Sequence, residues 1–207
     1  FELFNEPFVG YSSASAEDWR IIMRGGSQDS YVTGYSNGYQ VHYHWEVAGM
    51  QQMLDAVRAS GAKNVVLIGG ASWAQDLSQW LSVKPEDSLH QIAVVWHAYP
   101  SKPGLPQPNF GQQAYSWAEQ VLEAGYPVIV TETGDHNAAG TKGSAFEAIL
   151  LPWADEHGVS YVGWCWDVMQ NVDDVLIKDA AGTPTDGYGR TFQQHLLCRA
   201  GGAARCP

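Results

Sequence analysis

Two glutamates stand directly after apolar stretches of the sequence and form a possible catalytic pair. Glu6 follows the segment FELFN and precedes Pro7, and Glu132 follows the segment VIVT. Cleavage of a glycosidic bond needs two such carboxyl groups, one protonated to donate to the leaving oxygen and one ionised to attack the anomeric carbon. Each glutamate could instead be a solvated residue at the end of a strand, since glutamate is mostly exposed in proteins.

Polar and aromatic residues stand at comparable places after other apolar segments. Flat aromatic rings are surfaces on which sugar rings can stack, and the nine tryptophans exceed what a core of this size usually uses. Each of these residues could instead have a purely structural role. The histidine could be a hydrogen-bonded core residue, the asparagine a turn residue, and the tryptophans could pack in the core or cap the fold. The candidate substrate-binding residues are Asn5, Trp73, His97, Tyr99, Trp164 and Trp166.

A repeated unit of amphipathic helix, glycine and apolar strand must position these residues. Val47, Met50, Leu54 and Val57 recur at helical spacing, and a glycine at position 61 ends that helix. Pro152 predicts a kink or a break in the last helix of the series. The predicted strands are residues 1–5, 64–70, 92–97, 128–131 and 160–166.

The strands are continuous apolar runs, which is typical of a parallel sheet covered by helices on both faces. Five strand units fit five-eighths of an α/β (β/α)8 TIM barrel, in which chemistry gathers at the carboxyl ends of the strands. An open doubly wound sheet is the alternative, but no glycine-rich phosphate turn follows any strand. We expect one domain over residues 1–207, with a surface excursion at about 10–46 and a tail at 198–207.

Four motifs resemble, in their order, the strands of a known enzyme family. FELFNEP, VVWHAYP, PVIVTETGD and VGWCWD are similar to strands four, six, seven and eight of glycoside hydrolase family 5, the cellulase-like barrel enzymes. The resemblance extends to about residue 192, and the family's first three strands have no counterpart in this sequence. It therefore implies strands four to eight of a barrel, with the first three strands lost or supplied by a separate chain.

The resemblance also implies roles for the candidate residues. Glu6 would be the acid/base and Glu132 the nucleophile of a retaining mechanism that needs no cofactor. Asn5 would hold the sugar 2-hydroxyl, and His97 and Tyr99 would orient the two glutamates. The tryptophan that stacks on the sugar at the cleavage point would be Trp166 or, as the second choice, Trp164. Trp73 would line the cleft or cap the barrel.

Composition excludes other classes of protein. Lys+Arg is 11 against Asp+Glu 22, so the clustered cations of a nucleic-acid binder are missing. No apolar run reaches the roughly 20 residues of a membrane helix. Neither His42 with His44 nor Asp173 with Asp174 has the spacing of a metal site, so no metal is predicted.

The three cysteines give information on whether the protein resides in an oxidising or a reducing compartment. Cys165 lies in an apolar run and is predicted to be a buried free thiol. Cys198 and Cys206 could close a small disulfide loop, which would imply an oxidising compartment. This possible bridge and the family resemblance together favour a secreted protein.

Three functions remain open at this stage. The first is a retaining endo-β-1,4-glycosidase, most simply an endoglucanase that acts on cellulose or mixed-linkage β-glucan. The second keeps the fold and takes β-mannan or xyloglucan as the polysaccharide substrate. The third is a non-catalytic carbohydrate-binding protein built on an incomplete barrel, for which a pair of carboxylates would have no purpose.

Overall fold

The computed structural model describes residues 1–7, 14–33, 40–100, 111–135, 145–169, 175–203 and 205–206. Helices and parallel strands alternate along most of this part of the chain. The elements in order are α1 (Ala16–Arg24), β1 (Gly26–Thr33), β2 (Gln40–Val47), α2 (Met50–Ala59), β3 (Val66–Gly69), α3 (Ala71–Ala74), α4 (Trp80–Val83), β4 (Ile92–Ala98), α5 (Gly111–Glu123), β5 (Val128–Thr133), α6 (Glu147–His157), β6 (Ser160–Gly163) and α7 (Tyr188–Ala200).

The central sheet is parallel and has the order β3-β4-β5-β6. All four strands lie where the sequence predicts them, and the helices between them are the crossovers. The predicted strand over residues 1–5 is reduced to a single parallel bridge between Glu2 and Leu67. The amino-terminal segment nevertheless occupies the position of a fifth strand, because Leu3 donates to the Leu67 carbonyl and Leu67 donates to the Phe1 carbonyl.

The two faces of the sheet differ in what covers them. Trp96 of β4 packs edge-on against Tyr115 of α5 and Trp153 of α6, so this face of β4 points at the helices. Successive side chains of a strand alternate between faces, so Val95 and His97 point to the opposite, concave face. The core lies between the sheet and the helices, and Val94, Trp96 and Val130 belong to it.

The concave face is only partly covered. Phe4 and Val162 are each 55% exposed, although both are large apolar residues of the central sheet segments. Tyr161, the neighbour of Val162, packs on the helix side against Phe192, which places Val162 on the concave face. A closed barrel would bury these positions against its remaining strands.

The region at about 10–46 is more than the predicted surface excursion, and that prediction is wrong for helix α1. Ser15 and Asp18 form a capping box at the start of α1, which fixes the beginning of the helix. Its apolar side, with Trp19, Ile22 and Met23, is buried in the main core. The amphipathic pattern of this helix is short and lies among polar residues, so the sequence does not predict the helix. Strands β1 and β2 pair antiparallel, with Gly26 opposite Val47 and Thr33 opposite Gln40.

Three smaller predictions have mixed outcomes. Of the kink or break predicted at Pro152, the break does not occur, because α6 runs through this residue to His157. Cys198 and Cys206 form the expected disulfide. Cys165 is a free thiol as predicted but is half-buried rather than buried, because its strand ends two residues earlier.

None of the helices in the described ranges combines the length and the apolar character needed to cross a lipid bilayer.

We predict that Trp19→Ala lowers the free energy of unfolding by about 3–5 kcal/mol, because it empties a fully buried site in the core. Urea denaturation measures the change. Glu17→Ala on the exposed side of the same helix is the matched control and should leave the midpoint almost unchanged. A similar small effect of both variants would mean that α1 does not belong to the core.

Candidate active site

The amino-terminal segment delivers Glu6 to the carboxyl end of the sheet. Glu6 has a φ of 48°, a left-handed conformation that is uncommon for a residue other than glycine. The next residue, Pro7, is buried, and its carbonyl accepts a hydrogen bond of 3.2 Å from the Trp73 N–H. These contacts hold the chain reversal at Glu6, and such backbone outliers cluster at functional sites.

An irregularity in β5 delivers Glu132 to the same place. Val95 pairs with Ile129 and His97 with Glu132, so β5 holds one residue more than β4 over this interval. The pairing of β5 with β6 shifts between Val130 and Thr133 in the same way. Strict alternation would place Glu132 on the helix side with the buried Val130. The extra residue is a bulge that turns Glu132 to the concave face.

The two glutamates and His97 lie together. An oxygen of each glutamate and a ring nitrogen of His97 all lie within 4.8 Å of one another. His97 Nδ1 is 3.0 Å from Glu6 Oε1 and 3.6 Å from Glu132 Oε2. The His97 side chain is fully buried, whereas the side chains of Glu6 and Glu132 are 32% and 21% exposed. The imidazole therefore forms the floor, and the carboxyl groups face the solvent.

The remaining ring nitrogen of His97 is also occupied. Its Nε2 lies 3.1 Å from the hydroxyl oxygen of Thr131. A threonine hydroxyl can both donate and accept a hydrogen bond, so the pair is satisfied by either neutral tautomer of the ring. With Glu6 ionised, Nδ1–H donates to Glu6; with Glu6 protonated, the Glu6 hydroxyl donates to Nδ1.

Tyr99 supports the second glutamate. Its hydroxyl donates to Glu132 Oε2 at 2.9 Å. Burial raises the pKa of Tyr99 far above its usual value, and the nearby charge of Glu132 raises it further. The phenol therefore keeps its proton at neutral pH and remains a hydrogen-bond donor to the carboxylate.

The carboxyl pair opens into a cleft of about 320 Å³ at the carboxyl ends of the strands. Trp164 is 38% exposed and lines this cleft, whereas Trp166 is 70% exposed and is not among the lining residues. The structure thus brings the second-choice tryptophan, not the first, to the pair. The lining residues are Asn5, Glu6, Trp73, Gln75, Tyr99, Glu132 and Trp164.

The rim that carries Trp73 has an unusual backbone. Ser72, Trp73 and Ala74 in α3 have φ values of 50°, 60° and 58°. Three successive residues in the left-handed region cost of order 1–3 kcal/mol each, and such strain persists only where the surroundings enforce it. Trp73 is half-buried and faces the cleft through this turn.

Sequence reasoning missed three residues near the pair. Glu2 lies close enough that its carboxyl interacts electrostatically with His97 and Glu132; desolvation raises the pKa of Glu2, His97 lowers it and Glu132 raises it. Alternation along FELFNE could have indicated this residue, since positions 2, 4 and 6 share a face in an extended segment. Thr131 and Gln75 gave no comparable signal, because a bulge and a left-handed turn place them.

The same cluster holds the atoms that a divalent cation could use. Two carboxylate oxygens and an imidazole nitrogen, from Glu6, Glu132 and His97, form such a group within the described ranges. A cation here would have to displace the hydrogen bonds of His97 with Glu6 and of Tyr99 with Glu132. His44 instead pairs with Asp29 on the hairpin at 3.0 Å. The side chain of His42 and residues 173 and 174 lie outside the described part.

Comparison with known proteins relates this chain to cellulases. The model of the cellulase family, glycosyl hydrolase family 5, matches residues 1–170. Endoglucanase A from Evansella cellulosilytica is 23% identical over 160 residues, which are 76% of this chain and 30% of that protein.

Two solved enzymes share the fold. Beta-glucanase SdGluc5_26A from Saccharophagus degradans matches in its complex with cellotetraose, at 26% identity and a TM-score of 0.56, over 71% of this chain and 45% of that one. Its native form matches at 23% identity and a TM-score of 0.63, over 95% and 52%. A beta-mannanase from Streptomyces thermolilacinus matches at 18% identity and a TM-score of 0.50, over 67% and 45%.

These likenesses identify the sheet and its helices as part of a (β/α)8 barrel. The chain spans about half the length of the solved structures named here and 30% of the length of Endoglucanase A. The bridge at Glu2 and strands β3 to β6 correspond to five consecutive positions of the barrel wall.

Proposed function

The chain belongs to glycosyl hydrolase family 5, and we propose from this premise that it carries the catalytic pair of a retaining endo-β-1,4-glucanase. The observation that carries the proposal is that an oxygen of Glu6 and an oxygen of Glu132 lie within 4.8 Å of each other. Carboxyl groups about 5–5.5 Å apart belong to double-displacement enzymes, whereas inverting enzymes need about 6.5–9.5 Å to hold a water molecule between carboxylate and sugar.

In the first step Glu6 is the acid and Glu132 is the nucleophile. Glu6 transfers its proton to the glycosidic oxygen as the bond to the anomeric carbon breaks, and a Glu132 oxygen forms a bond to that carbon. The leaving sugar departs with the proton. Tyr99 holds Glu132 through the oxygen that is 2.9 Å from the phenol, which orients the other oxygen for attack.

In the second step Glu6 is the base. It takes a proton from water, the water oxygen attacks the anomeric carbon, and the bond to Glu132 breaks with overall retention of configuration. Glu6 must therefore be stable both protonated and ionised. The series of hydrogen bonds from Glu6 through His97 to Thr131 accommodates both forms of Glu6, because the imidazole and the hydroxyl can reverse their donor and acceptor roles.

We propose cellulose or mixed-linkage β-glucan as the substrate. Trp73 and Trp164 line the cleft beside the carboxyl pair and offer ring faces for stacking on glucose units. Asn5 also lines the cleft and is the candidate for the sugar 2-hydroxyl. The most closely related solved enzyme named above is a beta-glucanase in complex with cellotetraose, which supports a glucan over a mannan or a xyloglucan.

We propose further that a polypeptide carrying the three remaining strand units covers the concave face and completes the cleft. The exposed apolar residues Phe4 and Val162 on that face support this proposal. The disulfide between Cys198 and Cys206 supports a secreted location, because such bonds persist in oxidising compartments. Purified native material would then contain a second species of about 10 kDa, or a longer covalent chain.

We predict that Glu6→Gln and Glu132→Gln each lower kcat on an aryl cellobioside by more than about 10³-fold, since each removes a group that reacts. Glu123→Gln changes an exposed glutamate of α5 and is the matched control. Azide separates the two roles. It should rescue Glu6→Ala with a product of retained configuration and Glu132→Ala with a product of inverted configuration. Wild-type turnover by either glutamine variant would refute the assignment.

We predict that Tyr99→Phe lowers kcat by about 10–100-fold, because a hydrogen bond to a charged group contributes about 1.5–3 kcal/mol. Tyr161→Phe is the control, since it removes a phenol that donates to a carboxylate, Asp155, on the helix side of the sheet. Steady-state kinetics of both variants on the same substrate measure the difference. Equal effects would show that the Tyr99 hydroxyl has no particular role.

We predict hydrolysis of carboxymethylcellulose and barley β-glucan at rates at least about tenfold above those on β-mannan and xyloglucan, because the relative at 26% identity is a beta-glucanase in complex with cellotetraose. Release of reducing ends from a panel of these polysaccharides measures the preference. A higher rate on mannan or xyloglucan than on the glucans would identify the enzyme as a β-mannanase or a xyloglucanase. Binding of cello-oligosaccharide without turnover by the complete protein would indicate a binding protein.

A further inference from the structure

Glu147 is a buried carboxyl group that lies outside the catalytic pair. It is the first residue of α6 and is fully buried. Its Oε1 accepts a hydrogen bond of 2.9 Å from the Thr133 hydroxyl, and its Oε2 is buried without a hydrogen-bond partner in the described structure. An ionised carboxylate in such a position would lose its hydration without full compensation, so the site favours a neutral acid.

Thr133 connects this carboxyl group to the nucleophile. It is the residue after Glu132 and has no exposed surface. Its carbonyl accepts hydrogen bonds from the Tyr188 hydroxyl at 2.8 Å and from the Trp164 N–H at 2.7 Å. The strand end that presents Glu132 is therefore fixed on the helix side through the Thr133 side chain, which contacts Glu147. The Thr133 carbonyl fixes it further through Tyr188 and through the backbone of Trp164.

Among the groups that face Glu147, the Asp135 carboxyl group favours its uncharged form. Tyr115 of α5, Tyr188 of α7 and the nearly buried Asp135 after β5 interact with it, and no described lysine, arginine or histidine pairs with it. Burial raises the pKa of Glu147 to about 8; the Thr133 hydroxyl lowers it and Asp135 raises it. The start of a helix favours a carboxylate, but this effect is small beside full burial.

We propose that Glu147 is a positioning residue: its uncharged carboxyl group holds Thr133 and thereby the end of β5 that presents Glu132, and ionisation of Glu147 at alkaline pH loosens this support. The role in catalysis rests on the proposed function, whereas the protonation of Glu147 does not. The charge, once formed, lies near Asp135 with no cation beside it among the described residues, so we expect the first turn of α6 to move to hydrate it.

The stability of the protein should depend on pH through the ionisation of Glu147. The folded-state pKa lies above the ordinary value of 4.5, so the folded state binds the extra proton between these two values. The stabilisation from the neutral form is complete below about 4.5 and is lost as the pH rises through about 8. Glu147→Gln keeps the shape without the ionisation, so its melting temperature relative to wild type should rise steadily over this interval.

The test combines a direct readout with kinetics. Infrared difference spectra at pH 6 against pH 9 should show a protonated carboxyl band in the wild type that is absent in Glu147→Gln. The alkaline limb of kcat near pH 8 should move upward by at least one unit in this variant. Glu147→Ala should lose about tenfold in kcat at pH 6 with little change in KM, and Glu147→Gln should restore most of the loss. Glu156→Gln, an exposed residue of the same helix, is the control.

Three outcomes overturn the inference. A spectrum in which the carboxyl band survives in Glu147→Gln would show that another group carries the proton. An active enzyme whose alkaline limb is identical in wild type and Glu147→Gln would end the positioning role alone. A complete wild-type enzyme without hydrolytic activity would contradict the proposed function and remove the positioning role with it.

Discussion

The structure depends on holding two carboxyl groups within 4.8 Å of each other at the edge of a sheet. Two full negative charges at this distance repel by about 3 kcal/mol at the effective dielectric constant of a protein surface. The protein offsets this cost with polar groups on both sides, His97 against Glu6 and the Tyr99 hydroxyl against Glu132. Double displacement requires one protonated and one ionised carboxyl group.

The position of Glu132 is a consequence of the sheet rather than of local sequence. One extra residue in β5 turns this side chain from the helix side to the concave face, and the same irregularity appears against both neighbouring strands. Thr133, after the bulge, returns to the helix side and contacts Glu147. The bulge therefore places Glu132 and Thr133 on opposite faces of the strand end, one toward the cleft and one toward α6.

Burial differs between the two sides of the sheet. The helix side of the sheet is packed by Trp96, Leu150 and the other members of the main core, including Trp19 and Met23 from α1. The concave side exposes Phe4 and Val162. Most of the buried apolar packing of the described residues therefore lies on the helix side of the sheet.

Much of the fold followed from local pattern. Continuous apolar runs predicted β3 to β6 correctly, and glycines 61, 125 and 158 end the preceding helices with the positive φ expected of them. Parallel strands bring their carboxyl ends to one edge, so the sequence also indicated that Glu6, His97 and Glu132 would meet. The sequence did not indicate that α1 belongs to the core. This helix has only nine residues, so its amphipathic pattern is weak.

The residue types and their order along the chain determined by themselves that a carboxyl pair, a histidine and aromatic rings would gather at one sheet edge. Only the tertiary structure decided which of two tryptophans reaches the cleft, that a bulge aims Glu132, and that a buried acid supports the strand behind it. The physical reason is that alternation along a strand can be read from sequence, whereas a one-residue register shift and the burial of Glu147 arise only when neighbouring strands and helices pack against each other.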